Sequence, residues 1–354
     1  MNDTPQAVTL HGARDLRIAQ RAPQALGAHD VRLRLGAGGI CGSDLHYWQH
    51  GRVGAFVIRE PLVPGHEASG VVEAVGAEVT RVKVGDRVAI DPSHACGARF
   101  DAASGGVCDY CRAGRMNLCR KMFFLGSASV FPHAQGLFAQ SFVMGERQLT
   151  PVNETQISLG EIACAEPLSI GLHAVQRAGG SLLGKRVLVT GAGTIGCMCV
   201  IAARLAGAAH VAVADVADRP LEMACTVGAD EAVRSDRDAA SLHDRFDIAL
   251  EAAGAAPALL LALAAVERGG RVVQVGTLPD EVALPANKIM ARELDLVGAF
   301  RANGEFDLAV QAIRTRRADV RPLITAQLPL ARAEEAFALA ADKSRSTKVQ
   351  LTFD

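Results

Sequence analysis

The chain has 354 residues, of which 49% are hydrophobic, so it contains enough apolar material for two domains. Its 37 basic and 38 acidic side chains nearly cancel, and this balance argues against a partner that is a nucleic acid or an anionic membrane. The N-terminus lacks a signal pattern and no apolar run is long enough to span a bilayer, so we predict a cytoplasmic protein without a membrane partner.

The first 90 residues contain short runs that alternate between polar and apolar side chains and are bounded by turn residues. Such alternation is typical of half-buried strands. We therefore predict a mostly antiparallel sheet or partial barrel, whose strands include Ala7–Leu10, Val31–Leu35, Gly70–Val75 and Asp86–Ile90.

Candidate metal ligands lie at chain bends next to these strands. Cys41 follows a Gly-Gly pair, His66 and Glu67 follow a Pro-Gly turn, and Glu166 precedes a proline further along the chain. Zinc binds thiolate, imidazole and carboxylate groups, and three protein ligands with an open position make a catalytic site. A buried histidine paired with a carboxylate is the alternative interpretation of His66 and Glu67.

A second group of cysteines lies in an irregular stretch. Cys96, Cys108, Cys111 and Cys119 include one Cys-x2-Cys pair, and four thiolates without an open position make a structural zinc site. Free surface thiols and a redox pair are the alternatives. The remaining cysteines in helical patterns are predicted to be small core residues, namely Cys164, Cys197, Cys199 and Cys225.

From residue 156 to residue 290 the pattern changes to strands that alternate with helices. The predicted elements include the strands Arg186–Thr190 and His210–Asp215 and a helix over Ala256–Glu267. This alternation predicts parallel βαβ units, and so a doubly wound Rossmann domain of the α/β class. We place this domain at residues 156–290, inserted into a β-rich domain formed by residues 1–155 and 291–354.

A glycine motif stands between the first strand of that domain and its first helix. Glycines at its first, third and sixth positions permit a tight turn, close approach of a pyrophosphate, and packing of helix on strand. The N-terminus of the helix would then face the phosphates. The predicted dinucleotide-binding residues of this motif are Gly191, Gly193, Thr194, Ile195 and Gly196.

Asp215 ends the next predicted strand, 19 residues after Gly196. A carboxylate at that position accepts hydrogen bonds from the ribose hydroxyls of the cofactor and repels a 2′-phosphate, so we predict NAD rather than NADP. A solvated aspartate is the alternative interpretation. Arg219 lies nearby and could accommodate a 2′-phosphate.

These motifs, in this order, resemble those of the medium-chain, zinc-dependent alcohol and polyol dehydrogenases over essentially the whole chain. The segments Cys41–Trp48 and Glu166–Ser169 resemble the sorbitol dehydrogenase branch, and Phe123–Ala128 and Val130–His133 resemble the L-idonate 5-dehydrogenases more closely. The resemblance implies a GroES-like β-rich catalytic domain beside the Rossmann domain.

Several site residues are implied by this resemblance alone. Catalytic zinc would be held by Cys41, His66 and Glu67, with Glu166 binding the metal directly or through its water. Ser43 would hydrogen-bond the reacting hydroxyl, and His46 would continue a proton relay to solvent through the cofactor ribose. The residues similar to those of the substrate pocket are Tyr47, Phe124 and Arg301.

The cysteine spacing departs from the usual pattern of this family, because 11 residues separate Cys96 from Cys108. We expect the insert Gly97–Val107 to loop out, since the cost of closing a longer loop is about 1–2 kcal/mol. Structural zinc contributes on the order of 10 kcal/mol or more, which outweighs that cost.

The resemblance predicts oxidation of a small-molecule sugar acid or polyol, with L-idonate as the first candidate and sorbitol or xylitol as the alternatives. It also predicts a homotetramer or a homodimer. A catalytically silent NAD-binding protein is a remote alternative, disfavoured because Cys41, His66 and Glu67 are all present.

Overall fold

The computed structural model describes residues 4–96 and 106–353, which form two compact units. The first unit comprises Met1–Glu166, Phe306–Arg314 and Ile324–Asp354, and the second comprises Pro167–Glu305 and Thr315–Leu323. The boundaries of these units therefore differ from the predicted domain boundaries, which lie at 155/156 and 290/291.

The elements of the first half of the chain are mostly short strands joined by turns. They are β1 (Gln6–Gly12), β2 (Asp15–Gln20), β3 (Asp30–Gly39), α1 (Gly42–His50), β4 (Arg52–Val53), β5 (Phe56–Val57), β6 (Glu67–Val75), β7 (Arg87–Ile90), β8 (Ser93–His94), α2 (Asp109–Arg112), β9 (Phe123–Phe124), β10 (Ser141–Gly145), β11 (Leu149–Pro151) and α3 (Leu159–Ala163).

Longer helices and parallel strands make up most of the second half. They are α4 (Ala165–Ala178), β12 (Arg186–Thr190), α5 (Thr194–Leu205), β13 (His210–Asp215), α6 (Asp218–Thr226), β14 (Glu231–Arg234), β15 (Phe246–Glu251), α7 (Ala256–Ala265), β16 (Val266–Gln274), α8 (Ala286–Ala291), β17 (Asp295–Gly298), α9 (Glu305–Arg314), β18 (Ile324–Pro329), α10 (Ala333–Ala341) and β19 (Lys348–Thr352).

The first unit is built on a mostly antiparallel sheet with the strand order β11-β7-β6-β3-β19-β18, in which β10 also pairs with β3. One core packs against it and includes Leu33, Leu35, Phe138 and Phe337, each fully buried. The alternation of polar and apolar residues therefore predicted this sheet correctly. The pairing of β19 with β3 brings the end of the chain beside the strand that leads to Cys41.

The second unit is a parallel sheet with the strand order β14-β13-β12-β15-β16-β17. Strands β12, β13 and β15 are almost entirely buried, which explains their continuous apolar sequences. This order, with β12 at the centre, is that of a doubly wound nucleotide-binding fold. None of the described helices is long and apolar enough to cross a bilayer.

Three details of this unit differ from the sequence prediction. The helix predicted over Ala256–Glu267 ends at Ala265, because Val266 is extended and pairs with Phe246. Strand β17 extends the parallel sheet by pairing with β16, so this part of the tail stays in the second unit. Cys225 was predicted to be a core residue, and it is exposed on α6.

Candidate functional site

Three of the predicted metal ligands converge in the first unit. One ligand atom each from Cys41, His66 and Glu67 lies within 4.8 Å of the others, and His66 and Glu67 are buried. Cys41 directly precedes α1, and His66 and Glu67 stand at the start of β6. The structure therefore brings together two segments that are distant in sequence.

The turn before His66 requires glycine. Gly65 has a φ of +92°, and a Cβ built on it would lie 2.2 Å from the Cδ1 atom of Phe138. A side chain at residue 65 would therefore clash with the core ring, and the left-handed backbone conformation also favours glycine. The Pro-Gly pair thus aims His66 and Glu67 toward Cys41.

Asp44 fixes both ligand segments, and we had assigned it no role from the sequence. Its Oδ2 accepts a hydrogen bond from the backbone N–H of Cys41 at 2.9 Å, and its Oδ1 accepts one from Gly65 at 3.0 Å. Its Oδ1 also lies 3.8 Å from Nδ1 of His66. Its position in the first turn of α1 is a sequence signal for capping that could have identified it.

The buried charges of this group favour a cation. Burial by itself would lower the pKa of His66, but Asp44, Cys41 and Glu166 outweigh it and raise that pKa to about 10. Burial and the neighbouring Glu67, opposed by His66, raise the pKa of Glu166 to about 7. A divalent cation would satisfy this excess of anionic groups.

Glu67 offers a buried oxygen to such a cation. Its Oε1 accepts a hydrogen bond from Nζ of Lys348 at 2.8 Å, whereas its Oε2 lies 2.7 Å from the same Nζ without hydrogen-bond geometry. Oε2 has no hydrogen-bond partner among the described residues. Since buried polar atoms rarely remain without partners, the lone pairs of Oε2 fit a metal ion. The donor set thus fits zinc.

The other predicted catalytic residues also belong to the first unit. Ser43 and His46 lie one turn apart on α1, where Ser43 is half-buried and His46 is exposed. Glu166 is buried at the start of α4, but it is not a member of the group of ligands within 4.8 Å. The ring centroid of Phe124 lies 5.3 Å from that of His66.

Tyr47 and Arg301, both predicted substrate residues, occupy different units. Tyr47 is buried, and its hydroxyl oxygen accepts a hydrogen bond from the N–H of Ala128 at 2.9 Å. Arg301 belongs to the second unit, where its backbone φ is +56° and its guanidinium lies 4.9 Å from the ring centroid of Phe300. A non-glycine residue in the left-handed region is often found at functional sites.

The four-cysteine group also converges in the first unit. The Sγ atoms of Cys96 and Cys111 are 3.6 Å apart, and those of Cys108 and Cys119 are 3.9 Å apart. Sulfur atoms at the usual zinc distance in a tetrahedron lie about 3.8 Å from one another. Backbone N–H groups of Cys111 and Arg120 lower the pKa of Cys108 to about 6, which favours the thiolate. The expected loop within Gly97–Val107 lies mostly outside the described residues.

The glycine motif of the second unit has the geometry that dinucleotide binding requires. Gly191 has a φ of +92°, and a Cβ on Gly196 would lie 1.8 Å from the carbonyl oxygen of Gly191. A Cβ on Gly193 would meet nothing within 4 Å, which leaves space for a phosphate above the N-terminus of α5. Thr194 and Ile195 form the first turn of that helix.

Asp215 ends β13 beside this motif. Its Oδ2 accepts a hydrogen bond from the N–H of Ala192 at 2.7 Å, and its Oδ1 accepts one from Ala217 at 3.1 Å. The carboxylate is therefore oriented by one backbone N–H of the glycine turn and by one that follows β13. Arg219 follows in the first turn of α6.

The chain is similar to several characterised dehydrogenases. Residues 27–154 match the family described as Alcohol dehydrogenase GroES-like domain, and residues 194–315 match the one described as Zinc-binding dehydrogenase. Sorbitol dehydrogenase of Gallus gallus is 37% identical over 94% of this chain and 92% of its own length. L-idonate 5-dehydrogenase of Vitis vinifera is 35% identical over 97% of this chain and 93% of its own length.

The crystal structure of L-idonate 5-dehydrogenase from Escherichia coli superposes with a TM-score of 0.92 at 34% identity. The alignment covers 100% of this chain and 99% of that one. These similarities confirm the predicted fold class, a GroES-like domain with a Rossmann-type parallel sheet.

Proposed function

The chain belongs to the zinc-dependent alcohol and polyol dehydrogenases, and we propose that it transfers a hydride from a secondary alcohol of a sugar acid or polyol to NAD. The observation that carries this proposal is the convergence of Cys41, His66 and Glu67, where a buried oxygen of Glu67 has no hydrogen-bond partner among the described residues. Three ligands of these types leave a position for substrate, as catalytic zinc sites do.

We propose that Cys41, His66 and Glu67 hold the catalytic zinc. When bound, zinc would act as a Lewis acid that makes a substrate hydroxyl acidic near neutral pH. Glu166 lies outside the close group, which favours a role through an ordered water rather than direct ligation. The structural zinc is assigned to Cys96, Cys108, Cys111 and Cys119.

Ser43 and His46 are proposed to carry the hydroxyl proton away. The Oγ of Ser43 would accept a hydrogen bond from the substrate hydroxyl and, as it takes that proton, would pass its own hydroxyl proton along the relay toward His46. Partial desolvation of the imidazole, together with the charges of His50 and Lys343, lowers the pKa of His46, so its imidazole is neutral at pH 7 and able to accept a proton. Because His46 is exposed, it can release the proton to water.

The glycine turn and Asp215 are proposed to hold NAD, which supplies the hydride acceptor. The N–H groups at the start of α5 would bind its pyrophosphate, and Asp215 would accept hydrogen bonds from its ribose hydroxyls. The negative charge of Asp215 disfavours the 2′-phosphate of NADP, whereas the positive charge of Arg219 could favour it. NAD is therefore the expected cofactor.

For the substrate we propose L-idonate, oxidised to 5-ketogluconate. The similarity to L-idonate 5-dehydrogenases of two organisms supports this choice. Arg301 could bind the substrate carboxylate through two hydrogen bonds, and Phe124 and Tyr47 are proposed to shape the pocket. The similarity to sorbitol dehydrogenase supports a second candidate, oxidation of neutral polyols such as sorbitol or xylitol.

A substrate panel separates these two candidates. We expect kcat/KM with NAD to be highest for L-idonate among L-idonate, gluconate, sorbitol and xylitol. An Arg301→Gln variant should raise KM for L-idonate by about tenfold or more, since a charged hydrogen bond is lost, and should leave KM for sorbitol unchanged. Activity confined to the neutral polyols would contradict the idonate proposal.

We also propose that the protein assembles as a homotetramer or homodimer. Among the described strands β17 pairs only with β16, and Met290 and Phe300 are 70% and 55% exposed. An open strand edge near apolar side chains favours association with a second copy. Sedimentation equilibrium of the purified protein tests this, and a monomer at micromolar concentration would contradict it.

A further inference from the structure

A buried lysine lies behind the candidate metal centre. Lys348, the first residue of β19, is only 2% exposed, whereas lysine is almost never fully buried unless it is paired. Its ammonium group contacts both carboxylate oxygens of Glu67, at 2.8 Å and 2.7 Å. The cost of burying this charge is offset only because a carboxylate of fixed position accompanies it.

The same ammonium group reaches the second ligand segment. Nζ of Lys348 donates a hydrogen bond to the carbonyl oxygen of Ile40 at 3.0 Å. Ile40 directly precedes Cys41, and its own N–H donates to the carbonyl oxygen of Val349 at 2.9 Å. One side chain from the end of the sequence therefore joins the chain before Cys41 to the carboxylate of Glu67.

A glycine on the neighbouring strand leaves room for the side chain of Glu67. Gly39 pairs with Glu67 across strands β3 and β6, and a Cβ on Gly39 would lie 2.2 Å from Oε2 of Glu67. The absence of a side chain at residue 39 thus leaves room for the oxygen that has no hydrogen-bond partner among the described residues. Lys348 thus contacts both oxygens of Glu67 and donates a hydrogen bond to Oε1, while Gly39 leaves space beside Oε2.

We propose that Lys348 is a positioning residue, which orients Glu67 so that a carboxylate oxygen stays within reach of Cys41 and His66 and thereby slows the release of the metal. This inference rests on the proposed zinc site. Hydrogen-bonding partners of metal ligands commonly change metal affinity by about 10–100-fold when they are removed. A lysine that only stabilised the fold would affect unfolding and leave metal release unchanged.

The rate of zinc release from the purified holoenzyme to a chromogenic chelator tests this role. We expect wild-type enzyme to release two zinc equivalents per chain in separate phases, with the phase that Cys41→Ser removes assigned to the catalytic site. Lys348→Met should accelerate that phase by about 10–100-fold and leave the other phase unchanged. The four-cysteine site then serves as an internal reference for correct folding.

Arg314→Met is the control, because it removes the cation of a different and more exposed ion pair of the first unit, with Glu154. It should leave both phases unchanged. Gly39→Ala provides a second route should Lys348→Met fail to fold, since its Cβ would displace Oε2 while Lys348 is retained. It should accelerate the same phase.

A double variant shows whether Lys348 acts through Glu67. In a Glu67→Gln background, Lys348→Met should change the release rate by less than about threefold, because the shared carboxylate is already lost. Unchanged release from Lys348→Met in the wild-type background, or equal acceleration in both backgrounds, would overturn the inference. If no phase of zinc release from the wild-type enzyme depended on Cys41, that result would instead contradict the proposed zinc site and this inference together.

Discussion

The dinucleotide motif and the candidate metal centre are assembled in opposite ways. The motif consists of one turn, Gly191–Gly196, and the carboxylate of Asp215 that accepts a hydrogen bond from that turn. The metal centre combines residues 41, 66 and 67 with Asp44 and with Lys348 from the end of the chain. The first depends on backbone groups of a local segment, and the second on buried charges from distant segments.

This difference determines how each region should respond to substitution. Backbone N–H groups remain after a side chain is replaced, so a single substitution in the motif should remove only part of its affinity for the dinucleotide. Removal of one member of a buried charge network weakens the whole network, because it leaves another buried charge without its partner. Substitutions at the metal centre should therefore have the larger effects, and should leave the dinucleotide site intact.

The largest effect is expected from Cys41→Ser. The substitution removes the thiolate ligand, and loss of Lewis-acid stabilisation of several kcal/mol corresponds to about a thousandfold decrease in kcat or more. The affinity for NADH, measured by fluorescence titration, should stay within about twofold of wild type. A near-normal kcat in this variant would contradict the zinc mechanism.

A smaller effect is expected from Asp215→Asn, which tests the other region. Loss of the negative charge should lower the ratio of kcat/KM with NAD to that with NADP by about tenfold to a hundredfold, given the value of a charged hydrogen bond. The zinc content should not change. A wild-type enzyme that prefers NADP would contradict the role assigned to Asp215.

Cys108→Ser tests a third region, the four-cysteine group, where stability rather than chemistry should change. We expect zinc to fall from two equivalents per chain to one, with a lower melting temperature and a kcat within about threefold of wild type. Metal analysis and thermal unfolding of the same preparation measure both quantities. One zinc per chain in wild type, unaffected by the substitution, would show that this group holds no metal.

The smallest effect is expected at a buried pair of the second unit to which no catalytic or cofactor role is assigned. Nδ1 of His173 lies 3.1 Å from Oε1 of Glu305. Burial would raise the pKa of Glu305, but hydrogen bonds from His173 and the N–H of Asn303 lower it overall. The ionised carboxylate of Glu305 therefore stabilises the folded protein at pH values above about 4.3, the pKa of glutamate in the unfolded chain. This stabilisation is lost as the pH falls through the lower pKa that Glu305 has in the folded protein.

Glu305→Gln should therefore unfold at a lower temperature than wild type at pH 7, and the two melting temperatures should converge below about pH 4. Kinetic constants at pH 7 should be unchanged. A difference in melting temperature that persists at acid pH would show that the pair acts by packing and not by charge.

The sequence predicted most where structure depends on local pattern. Strands β12 and β13 have the predicted limits, because buried parallel strands form continuous apolar runs bounded by glycine and aspartate. The predicted end of α7 at Glu267 was wrong, because pairing of Val266 with Phe246 in the sheet overrides the helical pattern. The prediction that Cys225 lies in the core was wrong, because an apolar residue type alone does not show which face of a helix is buried.

The metal centre could be predicted only in part. Cys41, His66 and Glu67 stand in short recognisable motifs, but the contacts that hold them are long-range. Lys348 lies 281 residues from Glu67, and no local pattern joins the two. The hydroxyl of Tyr47 also has a backbone partner, the N–H of Ala128, that spacing could not indicate.

The central claim is that a metal held by Cys41, His66 and Glu67 is needed for oxidation of the alcohol. Turnover and zinc content measured together, as a chelator removes the metal from the wild-type enzyme and zinc is then restored, test it most directly. We expect kcat to fall in proportion to loss of the Cys41-dependent zinc and to return when zinc is added. Unchanged turnover in enzyme from which that zinc has been removed would contradict the account.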